Sequence, residues 1–313
     1  MAGAFVAVAD DATAAYWNPA GLATGAFLSV ILDRAAWESR AAPDAPGAGA
    51  DRSSTFVGLS TNAVAFSYYR TLVTQADGPT PSLETVGASG PRIRSLTLDN
   101  FALTGAQMIS RNVSVGTSIR YVRANYGVGH SATAADIGTR LEDAQRLSRR
   151  GENALDWDLG VKVGRGAVQV GFVARNLLQP VLQAPDGSMF RLERLVRAGV
   201  AVRAVGRLRV ALDVDLRRQH LLDGHRQRKL AVGAEYWFGE SLAVRGGTRV
   251  DLDAWAHRSS TVGPDGMTRR DLHPVGAFGF SAALTTGVYL DGQLTRGHEE
   301  TERGWSLAGR VGF

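Results

Sequence analysis

Three pairs of aspartates lie two residues apart: Asp156/Asp158, Asp213/Asp215 and Asp251/Asp253. On a β-strand that spacing sends both carboxylates of a pair to one face. Two carboxylates on one face could ligate calcium or share acid–base work. Arg209, Arg245 and Arg249 lie on neighbouring stretches of chain. With them, Asp213, Asp215, Asp251 and Glu235 read instead as a charge-balanced lining of a wet interior, and this is the reading the residues favour. All six histidines (His130, His220, His225, His257, His273 and His298) fall in or beside polar connections. Imidazoles so placed could capture a transition metal at the surface, but polar loops explain them, and no metal site is assigned.

Several motifs of catalysis are missing. There is no Gly-x-Ser-x-Gly elbow, no phosphate-binding Gly-x-x-x-x-Gly-Lys-Ser/Thr loop and no His-Glu-x-x-His. The absence of cysteine removes thiolate metal sites, disulfides and cysteine nucleophiles together. The expectation is a protein that is no enzyme, has no catalytic residue and needs no cofactor. Lys162 and Lys229 are the only lysines among 35 basic residues, and the arginines that make up the rest are spread among 30 acids. That dispersal argues against nucleic acid as a partner.

The elements that carry these residues alternate with period two from Gly25 almost to the end. Leu242, Val244, Gly246, Thr248, Val250 and Leu252 face one way, and Arg245, Arg249 and Asp251 the other. Leu208 to Leu216 and Leu230 to Phe238 repeat the pattern. About fourteen strands are predicted, beginning near Gly25, Ser54, Ala63, Arg92, Val113, Ala154, Ala167, Phe190, Leu208, Arg228, Ser241, His273, Gly287 and Arg303. Short links such as Arg165-Gly166 and Gly239-Glu240 read as hairpin turns. They alternate with long polar connections, including 41–53, 74–91 and 127–153. No apolar run approaches the ~18 residues of a spanning helix, whereas segments of ~9–11 residues fit tilted spanning strands. The polar face recurs in every strand, so the fold class is all-β: an antiparallel transmembrane β-barrel of about 14 strands, apolar outside, with short turns at one end and long loops at the other. Trp37, Trp157, Trp255 and Trp305 fall near the upper, long-loop end, and Tyr236, Phe238 and Phe313 near the lower end, as interfacial girdles would. Within 138–150, Leu141, Ala144 and Leu147 suggest a short amphipathic helix that caps the barrel mouth or touches a partner.

Residues 1–24 break the pattern. A short apolar run from Gly3 to Ala9 precedes a helix capped by Asp10 or Asp11, which should stop at Trp17 because Pro19 biases Asn18 away from helical geometry. The domain reading is therefore 1–24 as a hatch inside the barrel and 25–313 as the barrel.

The stretch Gly3–Ala23, with Asn18-Pro19-Ala20-Gly21 at its centre, resembles the opening of FadL-type outer-membrane transporters and the related PorV/PorQ-like proteins. The final Trp305, Leu307, Val311 and Phe313 resemble the signal read by the outer-membrane barrel assembly machinery. The resemblance implies a fourteen-stranded barrel in the outer membrane of a Gram-negative-type bacterium, with both termini on the periplasmic side. It implies passive passage of small, mostly hydrophobic molecules, gated by the hatch, with Phe5, Val8, Trp17 and Leu22 touching ligand or packing the plug. The alternative is a PorV-like non-transporting barrel that anchors or assists a surface-protein secretion system. Expected partners are outer-membrane lipid, the assembly machinery and either a small hydrophobic ligand or a secretion-system protein. The length is nearer the PorV-like members, so long-chain fatty acid is not the specific expectation. Met1 is followed by no basic and apolar leader, so a signal has been removed or the gene start lies elsewhere.

Overall fold

In the computed structural model, all residues are described except 41–47, 79–89, 132–135, 205, 223–225, 254–260, 263–267, 270–273 and 298–301. Trp255, His225, His257, His273 and His298, named above, lie outside the described residues.

Fourteen strands close into one antiparallel barrel. They are β1 (Leu28–Arg40), β2 (Gly49–Thr61), β3 (Val64–Ala76), β4 (Arg92–Ser110), β5 (Val113–His130), β6 (Arg150–Arg165) and β7 (Val168–Arg175). They continue as β8 (Leu195–Arg203), β9 (Leu208–Asp215), β10 (Lys229–Phe238), β11 (Leu242–Asp251), β12 (Val275–Thr285), β13 (Val288–Gly297) and β14 (Glu302–Gly312). Each strand pairs with its sequence neighbour, and β14 closes on β1 from Ser29↔Gly312 to Ser39↔Glu302. Closure leaves no free edge, the condition a sheet must meet to sit in lipid. Phe313 adds a mutual pair of backbone hydrogen bonds with Leu28.

The alternation seen in the sequence becomes the two faces of the wall. Large apolar residues point outward and stay open, among them Phe66 at 62%, Leu155 at 62% and Leu294 at 66% exposure. Inward positions carry Ser67, Asn100, Arg120, Asp156, Asp158, Asp213 and Glu235, all buried. Trp157, Trp305, Tyr236, Phe238 and Phe313 lie outward. Trp37 does not: its register partners are Arg52 and Gly304, the Arg52 guanidinium stacks over its ring at 5.5 Å, and it faces the lumen. The period-two phase of β1 sets this, since Leu32 and Arg34 take the outward positions.

Short turns at the lower end use glycines with left-handed backbone, Gly166 (φ 60°) and Gly239 (φ 65°). At the upper end the wall extends beyond the belt of exposed apolar residues. β4 has 19 residues and β5 has 18, against the ~9–11 needed to span. The outer face of this extension is covered by α2 (Ile137–Arg146), which sets Leu141 and Ala144 on Ala76 and Ile93. Asp136 caps α2 by accepting from the Thr139 N–H at 3.0 Å, and that bond holds its carboxyl below the usual range. The helix therefore flanks the wall rather than capping the mouth. The cover over the mouth is a hairpin pairing Val181–Gln183 with Met189–Arg191. Its Leu182 and the following Ala184 pack on the inward residues Leu96, Ala124 and Tyr126. Phe190 belongs to this hairpin, so the eighth barrel strand starts at Leu195, not near Phe190. β2 and β6 start earlier than expected, at Gly49 and Arg150.

Candidate functional site

The site is the lumen, where residues 1–24 meet the inner wall. Helix α1 spans Ala14–Trp17 and stops before Asn18, and a 3-10 turn, Pro19–Thr24, leads into β1. Asp11 Oδ1 accepts from the Thr13 N–H and hydroxyl at 2.9 and 2.5 Å and so orders the approach to α1.

Asn18 pins this segment to the wall. It is fully buried. Its Nδ2 donates to the Val6 carbonyl at 2.9 Å and to the Val161 carbonyl of β6 at 3.2 Å, while Oδ1 accepts from the Ala20 N–H at 3.2 Å. Pro19 starts the 3-10 turn, a position where its missing N–H costs nothing. Ser114 of β5 donates to the Ala20 carbonyl at 2.9 Å, and Lys162 of β6 donates to the Ala9 carbonyl at 3.3 Å.

The wall opposite Asn18 is flat because it is built of glycine. A Cβ on Gly160 would lie 2.1 Å from Asn18 Oδ1, one on Gly171 2.4 Å from the Val6 carbonyl oxygen, and one on Gly116 2.4 Å from Pro19. Gly116 and Gly160 are register partners, as are Gly171 and Gly199. The inner faces of β5 to β8 thus form a seat that admits backbone and excludes side chains. Sequence reasoning missed this seat. Its signal was present: glycines recurring in the inward phase of adjacent strands.

Beside the seat, Asp213 Oδ2 accepts from the backbone N–H groups of Phe5 and Val6 at 2.8 and 2.9 Å. One carboxylate therefore satisfies two amides, that of Val6 buried and that of Phe5 half-buried. Val8 packs with Met1, Ala4, Ala7, Ala201, Ala211 and Ala231, with Phe5 against the cluster. Leu22 packs with Ala9, Ala14, Ala15 and Ala65, with Trp17 alongside. Phe5 and Trp17 stack at 5.1 Å. In this structure all four apolar residues named from the sequence pack the segment.

The aspartate pairs divide in role. Asp156 and Asp158 face Arg120, whose Nη2 lies 2.6 Å from Asp156 Oδ2 and whose Nε lies 2.9 Å from Asp158 Oδ2. Arg120 also donates to the Tyr69 hydroxyl at 2.7 Å and to Asn100 and Asn176. Arg175 lies 3.5 Å from Asp158, donates to the Tyr69 hydroxyl at 2.9 Å, and places its guanidinium 4.2 Å from the ring of Tyr16. Burial alone would raise the Tyr16 hydroxyl, but Arg175 and Arg52 outweigh it and bring its pKa down to about 7.

Asp215 pairs with Arg197 at 2.6 Å, and Asp253 with Arg218 at 3.0 Å. Asp251 accepts from the Arg228 and Asp253 N–H groups. Arg245 bridges Glu235 at 2.5 Å and Asp291 at 3.2 Å. Arg209 reaches Glu235 at 4.0 Å, and Arg249 pairs with Glu302. The carboxylates are thus occupied by guanidinium groups and backbone amides. Among the described residues, no group of three metal-ligating side chains converges.

The terminal residues Trp305, Leu307 and Phe313 lie on the outward face of β14 and its end. Val311 pairs with Val30 in the same outward phase.

The sequence profile of the family described as "F plasmid transfer operon, TraF, protein" matches residues 50–215, more than half of the chain. No curated protein matches it. Three solved structures share the architecture. The CymD monoaromatic hydrocarbon channel is 14% identical with a TM-score of 0.63, over 100% of this chain and 95% of its own. A Pseudomonas aeruginosa FadL homologue is 11% identical at 0.64, over 99% and 96%. The P. putida toluene transporter TodX is 12% identical at 0.62, over 96% and 94%. At such identities the likeness is one of fold.

Proposed function

The chain belongs to the family described as F plasmid transfer operon, TraF, protein, and from that premise we propose that it is an outer-membrane barrel passing small, mostly hydrophobic molecules under control of residues 1–24. The observation that carries this reading is one closed wall with two faces of opposite polarity. Its outside is a belt of exposed apolar side chains, and its inside is a charged lumen crossed by a segment tied down at Asn18 and Asp213. In this reading the belt dissolves in lipid, and the short-turn end, where β1 begins and β14 ends, faces the periplasm. Residues 1–24 are the hatch, and passage requires a ligand that binds better when the hatch is displaced. Phe5 and Trp17, half-buried beside the aromatic Tyr16 and Tyr69, are the contacts an apolar ligand would compete for. The terminal Trp305, Leu307, Val311 and Phe313 engage the barrel assembly machinery.

Toluene is the first probe, because TodX is titled a toluene transporter and CymD a monoaromatic hydrocarbon channel. Vesicles loaded with the purified chain should admit toluene faster than empty ones, and a variant with its hatch loosened by Asp213→Ala should admit it faster still. Equal rates in empty and protein-bearing vesicles would refute passage.

The second reading is a non-transporting barrel that anchors or assists a secretion system. It draws support from the family description, which places its namesake in a plasmid transfer operon. A protein companion recovered in stoichiometric amount from gently solubilised membranes, together with no toluene flux, would favour it.

A further inference from the structure

The outer wall carries a second charge pattern that neither the lumen nor the hatch uses. On seven consecutive strands, β13, β14 and β1 to β5, an outward apolar position is followed toward the long-loop end by a polar one; on β14 that residue, Arg303, pairs with Glu38 of β1, whereas Arg34 pairs with Leu307. On β13 Leu294 gives way to Arg296, and on β14 Trp305 gives way to Arg303. On β1, β3 and β5 the changes are Leu32 to Arg34, Tyr68 to Arg70 and Tyr121 to Arg123. Thr55 and Asp99 hold the equivalent places on β2 and β4. The register makes one row of these last five: Arg34↔Thr55, Thr55↔Arg70, Arg70↔Asp99, Asp99↔Arg123. Strands lie ~4.8 Å apart, so successive arginines of the row stand about 10 Å apart, within reach of one shared anion.

All three arginines of the row are exposed. Arg34 Nη1 donates to the Thr55 hydroxyl at 2.6 Å. Arg70 lies 3.8 Å from Asp99, whose carboxylate already accepts from the Tyr68 hydroxyl at 2.7 Å. One carboxylate thus faces three guanidiniums. The row directly below is Leu32, Val57, Tyr68, Phe101 and Tyr121, an apolar and aromatic ledge of the kind that marks a membrane interface. On the opposite half of the barrel the pattern differs, since Arg218 and Arg228 both turn to Asp253. Two residues along β1 from Arg34, Ala36 borders a cavity of about 730 Å³ that is also lined by Phe278, Leu294 and Trp305 and by the charged Glu38, Arg296 and Arg303.

We infer that Arg34, Arg70 and Arg123 form a binding site on the lipid-facing wall for the phosphomonoester headgroup of a membrane lipid in the leaflet at the long-loop end. The inference rests on the membrane reading given above. An arginine exposed at this level costs little only near an interface. A phosphomonoester carries about −1.5 to −2 charges and three acceptor oxygens, and the guanidinium fork matches it bidentately. The acyl chains would then lie on Leu32, Val57, Phe101 and Tyr121, with the neighbouring cavity admitting a further chain between Phe278, Leu294 and Trp305.

The test uses the full chain in detergent, titrated with lipid A, with lipid A lacking one of its phosphates, and with phosphatidylcholine, bound lipid being read by native mass spectrometry. Retention should fall in that order. In the triple variant Arg34→Gln, Arg70→Gln, Arg123→Gln the lipid A preference should drop about tenfold or more, the loss of at least one charge-assisted pair. The corresponding lysine variant should retain an intermediate preference, because it keeps charge and loses the fork. Heat-resistant gel migration verifies that each barrel is folded, and should the triple variant fail this, Arg123→Gln alone is scored by the same criterion. Equal retention of lipid A and phosphatidylcholine, or an unchanged preference in the glutamine variant, overturns the inference. Reconstitution into phosphatidylcholine vesicles separates the two levels: a chain that does not enter them refutes the membrane reading, whereas one that enters without phosphate preference refutes this inference alone.

Discussion

Replacing Asp213 with alanine isolates the tie between the barrel and residues 1–24. In the structure one carboxylate oxygen accepts from two backbone amides, Phe5 N at 2.8 Å and Val6 N at 2.9 Å. Val6 is buried and Phe5 half-buried, so alanine leaves one donor without solvent and one partly wet. Charge-assisted hydrogen bonds contribute ~1.5–3 kcal/mol each. Taking the low end for both gives about 3 kcal/mol. That lowers the ratio of docked to released N-terminal segment about a hundredfold. Hydrogen exchange at the Phe5 and Val6 amides is the direct assay, and in Asp213→Ala their protection should fall by that factor while the amides of the barrel strands keep theirs. Asp213→Asn keeps an acceptor and should fall between. Asp215→Ala, two residues along the same strand and paired with Arg197, should leave both amides unchanged. Undiminished protection of Phe5 and Val6 in Asp213→Ala refutes the claim that this carboxylate holds the segment.

Gly160→Ala drives a methyl against Asn18 Oδ1, 2.1 Å away in the unrelaxed structure. A cost of ~1–3 kcal/mol is expected, seen as a lower unfolding temperature and partly relieved by Asn18→Ala. Arg120→Met leaves Asp156 and Asp158 buried without their principal cation, a loss of ~3–5 kcal/mol measurable by denaturant titration; adding Asp158→Asn should restore part of it. Tyr16 has a folded pKa of about 7, below its ordinary value of 10.0. An acid with a depressed folded pKa adds stability that is complete above pH 10, shrinks between pH 10 and 7, and is gone below the folded value. Docking of residues 1–24 should therefore tighten from pH 7 to 10 in the wild type and lose that slope in Tyr16→Phe. Phe172→Lys puts a charge on the outward face of β7, where Phe172 is 47% exposed. Folding into vesicles should weaken by up to ~2–4 kcal/mol, while folding in a detergent micelle suffers less.

The barrel was legible in the sequence because a closed wall with an apolar exterior and a polar interior forces a single rule on every strand. An apolar residue recurs at every second position along the outer belt, and the count of such stripes is the strand number. Fourteen stripes gave fourteen strands. The rule lapses where the physics behind it lapses. Above the apolar belt the outward face is polar or covered by α2, so β2 begins at Gly49 and β6 at Arg150 in polar sequence that alternation cannot distinguish from loop. Phe190 looked like a strand start because it is apolar, but hydrophobicity has a second destination in a barrel, the packed interior of the mouth, where it lies near Tyr126.

The site was less legible because its contacts join residues far apart in sequence. Asn18 meets Val161 across 143 positions and Asp213 meets Val6 across 207, so no local pattern encodes either pair. What survives in the sequence is phase, the face on which each residue must lie. Phase placed Asp213, Glu235 and Arg245 in the lumen but could not choose their partners, and the cation for Asp156 and Asp158 proved to be Arg120. Phase also held the glycine seat, since Gly116, Gly160, Gly171 and Gly199 all fall on inward positions of adjacent strands. A hydropathy reading passes over them because glycine has no side chain to score. In a plugged barrel that absence is itself the signal. Wherever several neighbouring strands forgo an inward side chain, something else must fill the space, and in this chain it is the backbone around Asn18-Pro19-Ala20.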